Sequence, residues 1–182
     1  MSKKKSKILP PIKGKRLPAL NDEFNKMGDF LFHEGPLLSH LINQHDEDFF
    51  IQWCGNDREF NRWLLYKTNY ELLFKYFNKQ LSDLDLLLKN PDGFAYIIDM
   101  DKEAKWKNIW IVSLEDIPPE YLPNGAVNYD PEDFAPYAEK LKAYIQLHFS
   151  RPIKSYKAPE ATIEIVAEPP PNIYEKKKKG KG

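Results

Sequence analysis

The chain has 182 residues, of which 42% are hydrophobic and 14% aromatic, so it can bury the core of one domain. Its formal net charge is zero, and no apolar run approaches the ~20 residues of a membrane-spanning helix, so the sequence predicts no membrane association. The single cysteine, Cys54, excludes an intrachain disulfide and a cysteine-based zinc site. Without a secretory apolar region, the predicted location is the cytoplasm.

The zero net charge conceals an acidic body between two basic ends. Residues 1–20 carry seven Lys and Arg with no acid, and residues 172–182 carry five Lys with one acid. Residues 21–171 hold 15 basic and 26 acidic side chains, a net charge of −11. The tails are interpreted as solubilising segments, with contacts to nucleic-acid phosphates as the alternative. The side chains predicted for such contacts are Lys3, Lys4, Lys5, Lys176, Lys177, Lys178 and Lys179.

The composition divides the chain into three parts. Residues 1–24 have few large apolar side chains to offset the entropy of ordering, and they are predicted to form a disordered basic tail. Residues 25–150 contain most of the apolar sequence and are predicted to form a single α+β domain. Residues 151–182 are predicted to be an extended tail rich in proline and lysine, in which residues 161–167 could add a last strand.

Six short segments inside the domain are rich in aromatic and β-branched residues and are bounded by turn residues. The predicted strands are residues 30–33, 37–42, 48–54, 61–67, 94–99 and 108–114. Because short polar or glycine-containing turns join the first four strands, neighbouring strands are predicted to pair antiparallel as a meander.

Three helix starts can be read from capping residues. Thr68, followed three residues later by Glu71, matches a capping box and predicts a helix to about residue 79. Ser82 is the predicted cap of a second short helix, and Asp130 followed by Pro131 predicts a longer C-terminal helix. The predicted fold is therefore α+β: an antiparallel β-meander sheet covered by two short helices, with a longer C-terminal helix.

Several short motifs resemble an uncharacterised family of small bacterial domains. The motifs are E-G-P-L-L-S at 34–39, Trp53, N-R-W-L at 61–64, L-S-x-L-x-L-L at 81–87 and Y-x-x-D at 96–99. The resemblance covers about residues 30–115 and leaves out the C-terminal helix and both basic tails. It implies a fold and a bacterial source, and because the family has no agreed activity it implies no catalytic residue.

Arg62 is the most informative charged residue of the predicted sheet. Strand alternation places it on the face opposite Trp63 and shared with Leu64, where a helix is expected to cover it. A covered guanidinium requires a carboxylate partner, and the candidates are Asp99, Asp57 and Glu34. A fold-fixing ion pair is the favoured interpretation, and a binding site for a ligand carboxylate or phosphate is the alternative.

Asp99 and Asp101 end a predicted strand on one face, where paired carboxylates could bind Mg²⁺ or perform acid–base chemistry. The alternative is a strand end in solvent. Residues 45–48 read as a solvated hairpin tip rather than a metal site, and Cys54 reads as a packing residue. Because the sequence contains no phosphate-binding loop, nucleophile elbow or zinc-protease motif, it predicts no cofactor and no metal site.

These observations favour a function without catalysis. The leading hypothesis is a protein-interaction module of a cytoplasmic bacterial protein, with another protein as its partner, because aromatic residues such as Trp106 and Tyr121 lie in and around loops. The alternative is a nucleic-acid-associated accessory protein that binds phosphates through its Lys-rich tails. A weaker alternative is a metal-assisted hydrolase that uses Asp99 and Asp101.

Overall fold

The computed structural model describes residues 9–32, 36–123, 125 and 131–149, which form a seven-stranded antiparallel sheet and three α-helices. The strands are β1 (Lys15–Leu17), β2 (Phe24–Phe32), β3 (Pro36–Asn43), β4 (Asp48–Asn56), β5 (Asn61–Lys67), β6 (Phe94–Met100) and β7 (Trp106–Ser113). The helices are α1 (Tyr70–Phe77), α2 (Asp83–Leu88) and α3 (Pro131–Phe149), with short 3₁₀ helices at Leu114–Asp116 and Pro119–Tyr121. The predicted α+β class with an antiparallel sheet is confirmed.

The sheet is open and has two edge strands of very different length. The strand order is β1-β7-β6-β5-β4-β3-β2. Strands β2 to β7 follow one another in the sheet as they do in the chain, and β1 pairs with the outer side of β7. β1 has three residues, whereas β2 has nine. The outer side of β2 therefore presents the longer row of backbone N–H and C=O groups that no strand among the described residues pairs.

The N-terminal segment enters the sheet, so the prediction of disorder for residues 1–24 is wrong in part. Lys15–Leu17 pairs antiparallel with β7, and Leu9 and Ile12 pack against the core. The prediction of disorder was based on the few apolar side chains in this segment. It did not consider that the edge of a sheet offers backbone hydrogen bonds to a segment with few apolar side chains. Residues 1–8 lie outside the described residues.

Each face of the sheet carries an apolar cluster. One face is covered by the helices and includes Phe30, Leu64 and Tyr66. The sheet curves toward its other face, and the rings of Phe24 on β2 and Trp106 on β7 show this because they lie only 5.7 Å apart. In a flat sheet these two strands would be separated by about 24 Å, five strand spacings of ~4.8 Å.

α3 runs antiparallel to β2 on the helical face of the sheet. The ring of Phe134 stacks on Phe30 with centroids 4.9 Å apart, and further along the helix the Tyr137 ring covers Gly28. A Cβ atom at Gly28 would lie 2.1 Å from Cγ of Tyr137, so only glycine permits this approach. α3 therefore lies directly beside the long free edge of the sheet.

The helix caps correct one prediction and confirm another. α1 begins one residue later than predicted, because the Asn69 side chain, not Thr68, accepts a hydrogen bond from the Leu72 N–H at 2.9 Å. α2 begins as predicted at Ser82, which forms a reciprocal capping box with Asp85.

The predicted last strand at residues 161–167 and the C-terminal tail lie outside the described residues. None of the helices in the described part of the chain has both the length and the apolar character that a membrane crossing requires.

Candidate functional site

Arg62 and Asp99 form a buried ion pair that joins β5 to β6. The two residues are direct cross-strand partners, with Arg62 Nε 2.7 Å from Asp99 Oδ1 and Nη2 3.0 Å from Oδ2. This bidentate geometry confirms the predicted ion pair and identifies Asp99 as the acid that pairs with Arg62. Asp57 instead accepts hydrogen bonds from backbone N–H groups of its own turn, and Glu34 lies outside the described residues.

The remaining donor group of Arg62 is used inside the protein as well. Nη1 donates to the Tyr121 hydroxyl at 2.6 Å and to the Pro10 carbonyl at 3.2 Å, and the Trp110 ring centroid lies 5.6 Å from the guanidinium. Burial lowers the pKa of Arg62, but the hydrogen bonds that Arg62 donates to Asp99 and Tyr121 outweigh it and raise that pKa above its ordinary value. These contacts support the fold-fixing interpretation of Arg62 over the ligand site.

The structure does not bring Asp101 and Asp99 together as the paired site that strand alternation suggested. β6 ends at Met100, so Asp101 lies in the turn that follows, and the register shift beside Asp99 falls on Lys107 of β7 rather than on β6. Asp101 closes its own turn: its Oδ1 accepts from the Lys105 backbone N–H at 2.9 Å, and its Oδ2 lies 3.0 Å from Lys107 Nζ. These bonds lower the pKa of Asp101. The two carboxylates therefore serve separate local structures.

The other predicted site residues do not converge either. Within the described ranges, no group of three or more His, Cys, Asp or Glu side chains is placed to hold a metal ion. Burial raises the pKa of the Cys54 thiol to about 12, so this side chain acts as a packing residue. The tail lysines predicted to contact phosphates all lie outside the described residues.

The structure reveals a second buried network, centred on His40, that the sequence did not indicate. His40 is fully buried on β3, with Nε2 2.8 Å from Asp48 Oδ1 and Nδ1 hydrogen-bonded to the Tyr137 hydroxyl. The Tyr144 hydroxyl donates to the same Asp48 oxygen at 2.7 Å. Because a carboxylate only accepts, His40 donates to Asp48 from Nε2, which leaves Nδ1 for the hydrogen bond with Tyr137. We call these four residues the His40 network.

The His40 network attaches α3 to β3 and β4. Burial raises the pKa of Tyr137 and of Tyr144, and the negative charge of Asp48 adds to both shifts. Both hydroxyls therefore remain protonated, and that of Tyr144 keeps donating to Asp48. A buried carboxylate with two donors contributes to the position of the helix, which in turn sets the spacing between α3 and β2.

We expect Tyr144→Phe to lower the free energy of unfolding by about 1–2 kcal/mol, because Asp48 loses one of two donors while it stays buried. Urea denaturation at neutral pH measures this loss. Tyr96→Phe is the matched control, since Tyr96 lies on the other face and its hydroxyl bonds to none of the described residues. Equal losses in the two variants would contradict a role for the Tyr144 hydroxyl.

A groove of about 450 Å³ runs between the free edge of β2 and the flank of α3, and we call it the β2–α3 groove. Its lining residues are Met27, Gly28, Asp29, Glu132, Pro136, Tyr137 and Lys140. The first three come from β2 and the other four from α3. One wall is thus an unpaired strand edge and the other wall is a helix.

Charged side chains border this groove. Lys140 Nζ donates to the Met27 carbonyl at 3.2 Å, and Lys26 Nζ lies 2.9 Å from Asp29 Oδ2. Asp29 also accepts from the Ser39 hydroxyl on β3 at 2.5 Å. Met27 sits where the register between β2 and β3 shifts, so the strand edge bulges at the centre of the groove.

Sequence reasoning missed both the His40 network and the groove. A partial signal for the network existed, because Tyr137 and Tyr144 lie two helical turns apart on one face of α3. Nothing in the sequence, however, places that helix against His40, which is 97 positions from Tyr137. The groove depends on the same long-range placement.

No protein-family model matches this chain, and none of the curated proteins or solved structures compared with it matches either. The resemblance of residues 30–115 to an uncharacterised bacterial family therefore stays a prediction. The geometry of the described residues is what supports a functional proposal.

Proposed function

We propose that this chain is a non-catalytic protein-interaction module that binds an extended segment of another polypeptide in the β2–α3 groove. The observation that carries the proposal is the groove itself, in which the long unpaired edge of the sheet faces a helix across about 450 Å³. In strand addition, backbone hydrogen bonds to a sheet edge supply affinity, and contacts beside the edge supply selectivity.

The two walls suit this mode of recognition. The nine residues of β2 present a row of backbone groups, whereas β1 at the other edge offers only three residues. Lys140 occupies the Met27 carbonyl, which is how a charged side chain shields a free edge from unwanted pairing. An incoming strand displaces the Lys140 ammonium from this edge, which costs little because the ammonium returns to water.

The buried charged groups support this proposal over catalysis. Arg62 bonds to Asp99 and Tyr121, and His40 bonds to Asp48 and Tyr137, so both networks connect structural elements to each other. Asp99 and Asp101 bond to different groups among the described residues, which gives the hydrolase alternative no support. Nucleic-acid binding through the tail lysines stays a prediction.

Selection of displayed random peptides, followed by fluorescence anisotropy of the enriched sequences, tests the proposal. We expect Pro136→Arg to weaken peptide binding by about tenfold or more, because the longer side chain fills the groove from its helical wall. Leu88→Arg is the matched control, since Leu88 is 54% exposed on α2, away from the groove. Failure to enrich any peptide, or equal affinity of both variants, would contradict the proposed function.

A further inference from the structure

We infer that the polypeptide bound in the β2–α3 groove is β2 of a second copy of this chain, paired antiparallel about a two-fold axis. This inference rests on the proposed function and names its partner. The charges on both walls of the groove are self-complementary about one centre, which is the property that a two-fold interface requires.

The first set of charges lies on the strand. Lys26 and Asp29 stand at equal distances on either side of the Met27–Gly28 bond, and their side chains are 51% and 21% exposed. Because the bulge gives Met27 and Gly28 one shared position in the ladder, an antiparallel pair centred on them places Lys26 of each copy opposite Asp29 of the other. The ion pair within each chain thereby becomes part of a cluster of four charges of alternating sign.

The second set of charges lies on the helix. Glu132 precedes Pro136 by about one turn and Lys140 follows it by about one turn, and all three line the groove. Because α3 runs antiparallel to β2, the same two-fold axis brings the two α3 helices together antiparallel. Lys140 of each copy then faces Glu132 of the other, with Pro136 near the crossing point.

The two centres border the same groove. Met27, Gly28 and Pro136 all line it, and we place the two-fold axis through the groove, between the strand pair and the helix pair. The bulge at Met27 falls on this axis, so ladder hydrogen bonds come from residues on either side of it and α3 adds the remaining contact. Such a dimer closes on itself and removes the long free edge from solvent.

Sedimentation equilibrium of the full chain between about 1 and 100 µM tests this interface. We expect a dimer, and we expect Lys140→Glu and Glu132→Lys each to weaken it by about tenfold, because each turns two attractive contacts into repulsive ones. An equimolar mixture of the two variants should recover a dimer, since one copy then carries only acids and the other only bases at these positions. Lys142→Glu is the matched control, because Lys142 pairs with Glu139 in its own helix.

Amide hydrogen exchange provides the second readout. The β2 amides of the wild type should exchange more slowly than those of the Lys140→Glu variant at the same concentration. Both substituted side chains are exposed, and melting temperatures establish that the variants fold. A monomeric wild type, an unchanged dimer in Lys140→Glu, or a mixture that recovers nothing would each overturn the inference. A monomeric wild type that still binds selected peptides in the groove would overturn it while leaving the proposed function intact.

Discussion

Arg62→Ala should lower the free energy of unfolding by about 3–5 kcal/mol, because it leaves the buried Asp99 carboxylate without its main partner. Asp99 would keep only the Asn108 side-chain amide, whose Nδ2 lies 3.3 Å from Oδ2. The substitution also removes the donor that joins Tyr121 and the Pro10 carbonyl to the sheet. The loss therefore spreads from β5 and β6 to two segments that are remote in the chain.

Urea denaturation of three variants separates charge from geometry at this position. Arg62→Lys should recover only part of the loss, because an ammonium cannot bond both Asp99 oxygens in the geometry of a guanidinium. Arg58→Ala is the control, since Arg58 is exposed in the turn before β5 and should change stability by less than about 0.5 kcal/mol. Equal midpoints for Arg62→Ala and Arg58→Ala would contradict the role of the ion pair.

Strand alternation was enough to predict that Arg62 pairs with an acid, but it left Asp99, Asp57 and Glu34 as candidates. Alternation places Arg62 on the face of Leu64, a covered guanidinium requires an acid, and the structure identifies that acid as Asp99 on the neighbouring strand. The same local patterns located β3 to β7 and the starts of α2 and α3 to within a few residues, whereas the strand predicted at residues 30–33 covers only the end of β2. Such patterns report which side chains need burial, and they are short enough to be read from consecutive residues.

The missed features depend on contacts between distant residues. β1 exists because β7 offers an edge, Tyr121 meets Arg62 from 59 positions away, and Tyr137 meets His40 from 97 positions away. Asp101 shows the opposite error, because β6 ends at Met100 and the Asp101 carboxylate bonds within the turn that follows, so alternation no longer places it beside Asp99. The β2–α3 groove could not be predicted for the same reason, because it requires both the edge position of β2 and the placement of α3 beside it.

Asp83→Asn should stabilise the protein at neutral pH, in contrast to most substitutions of buried polar residues. Asp83 is the first residue of α2 and only 4% exposed, and its Oδ1 accepts from the Tyr76 hydroxyl at 2.5 Å. Burial raises the pKa of this carboxyl from 3.8 to about 6, although the Tyr76 hydrogen bond partly opposes the shift. At pH 7 the folded protein therefore holds a buried carboxylate that would be more stable if protonated.

The sign of the pH dependence follows from the raised pKa. The protonated carboxyl favours the folded state below the ordinary pKa of 3.8, and this contribution is lost as the pH rises through about 6. The two pKa values differ by roughly two units, which corresponds to about 3 kcal/mol. The neutral amide of Asp83→Asn avoids this loss, but it gives up a charge–dipole interaction of about 0.5 kcal/mol at the start of α2.

Urea denaturation at several pH values from about 4 to 7 measures the difference between Asp83→Asn and the wild type. We expect a difference near zero at about pH 4 that grows to about 2–3 kcal/mol in favour of the variant at neutral pH. Asp85→Asn is the control of opposite sign, because hydrogen bonds from the Ser82 backbone and side chain lower the pKa of Asp85. Asp85→Asn should be less stable than the wild type by a nearly constant amount from about pH 7 to 4, and should approach it only at lower pH, where Asp85 takes up a proton in the folded state. If the difference between Asp83→Asn and the wild type stays constant across this range, the Asp83 carboxyl titrates alike in the folded and unfolded states, and its burial carries no penalty.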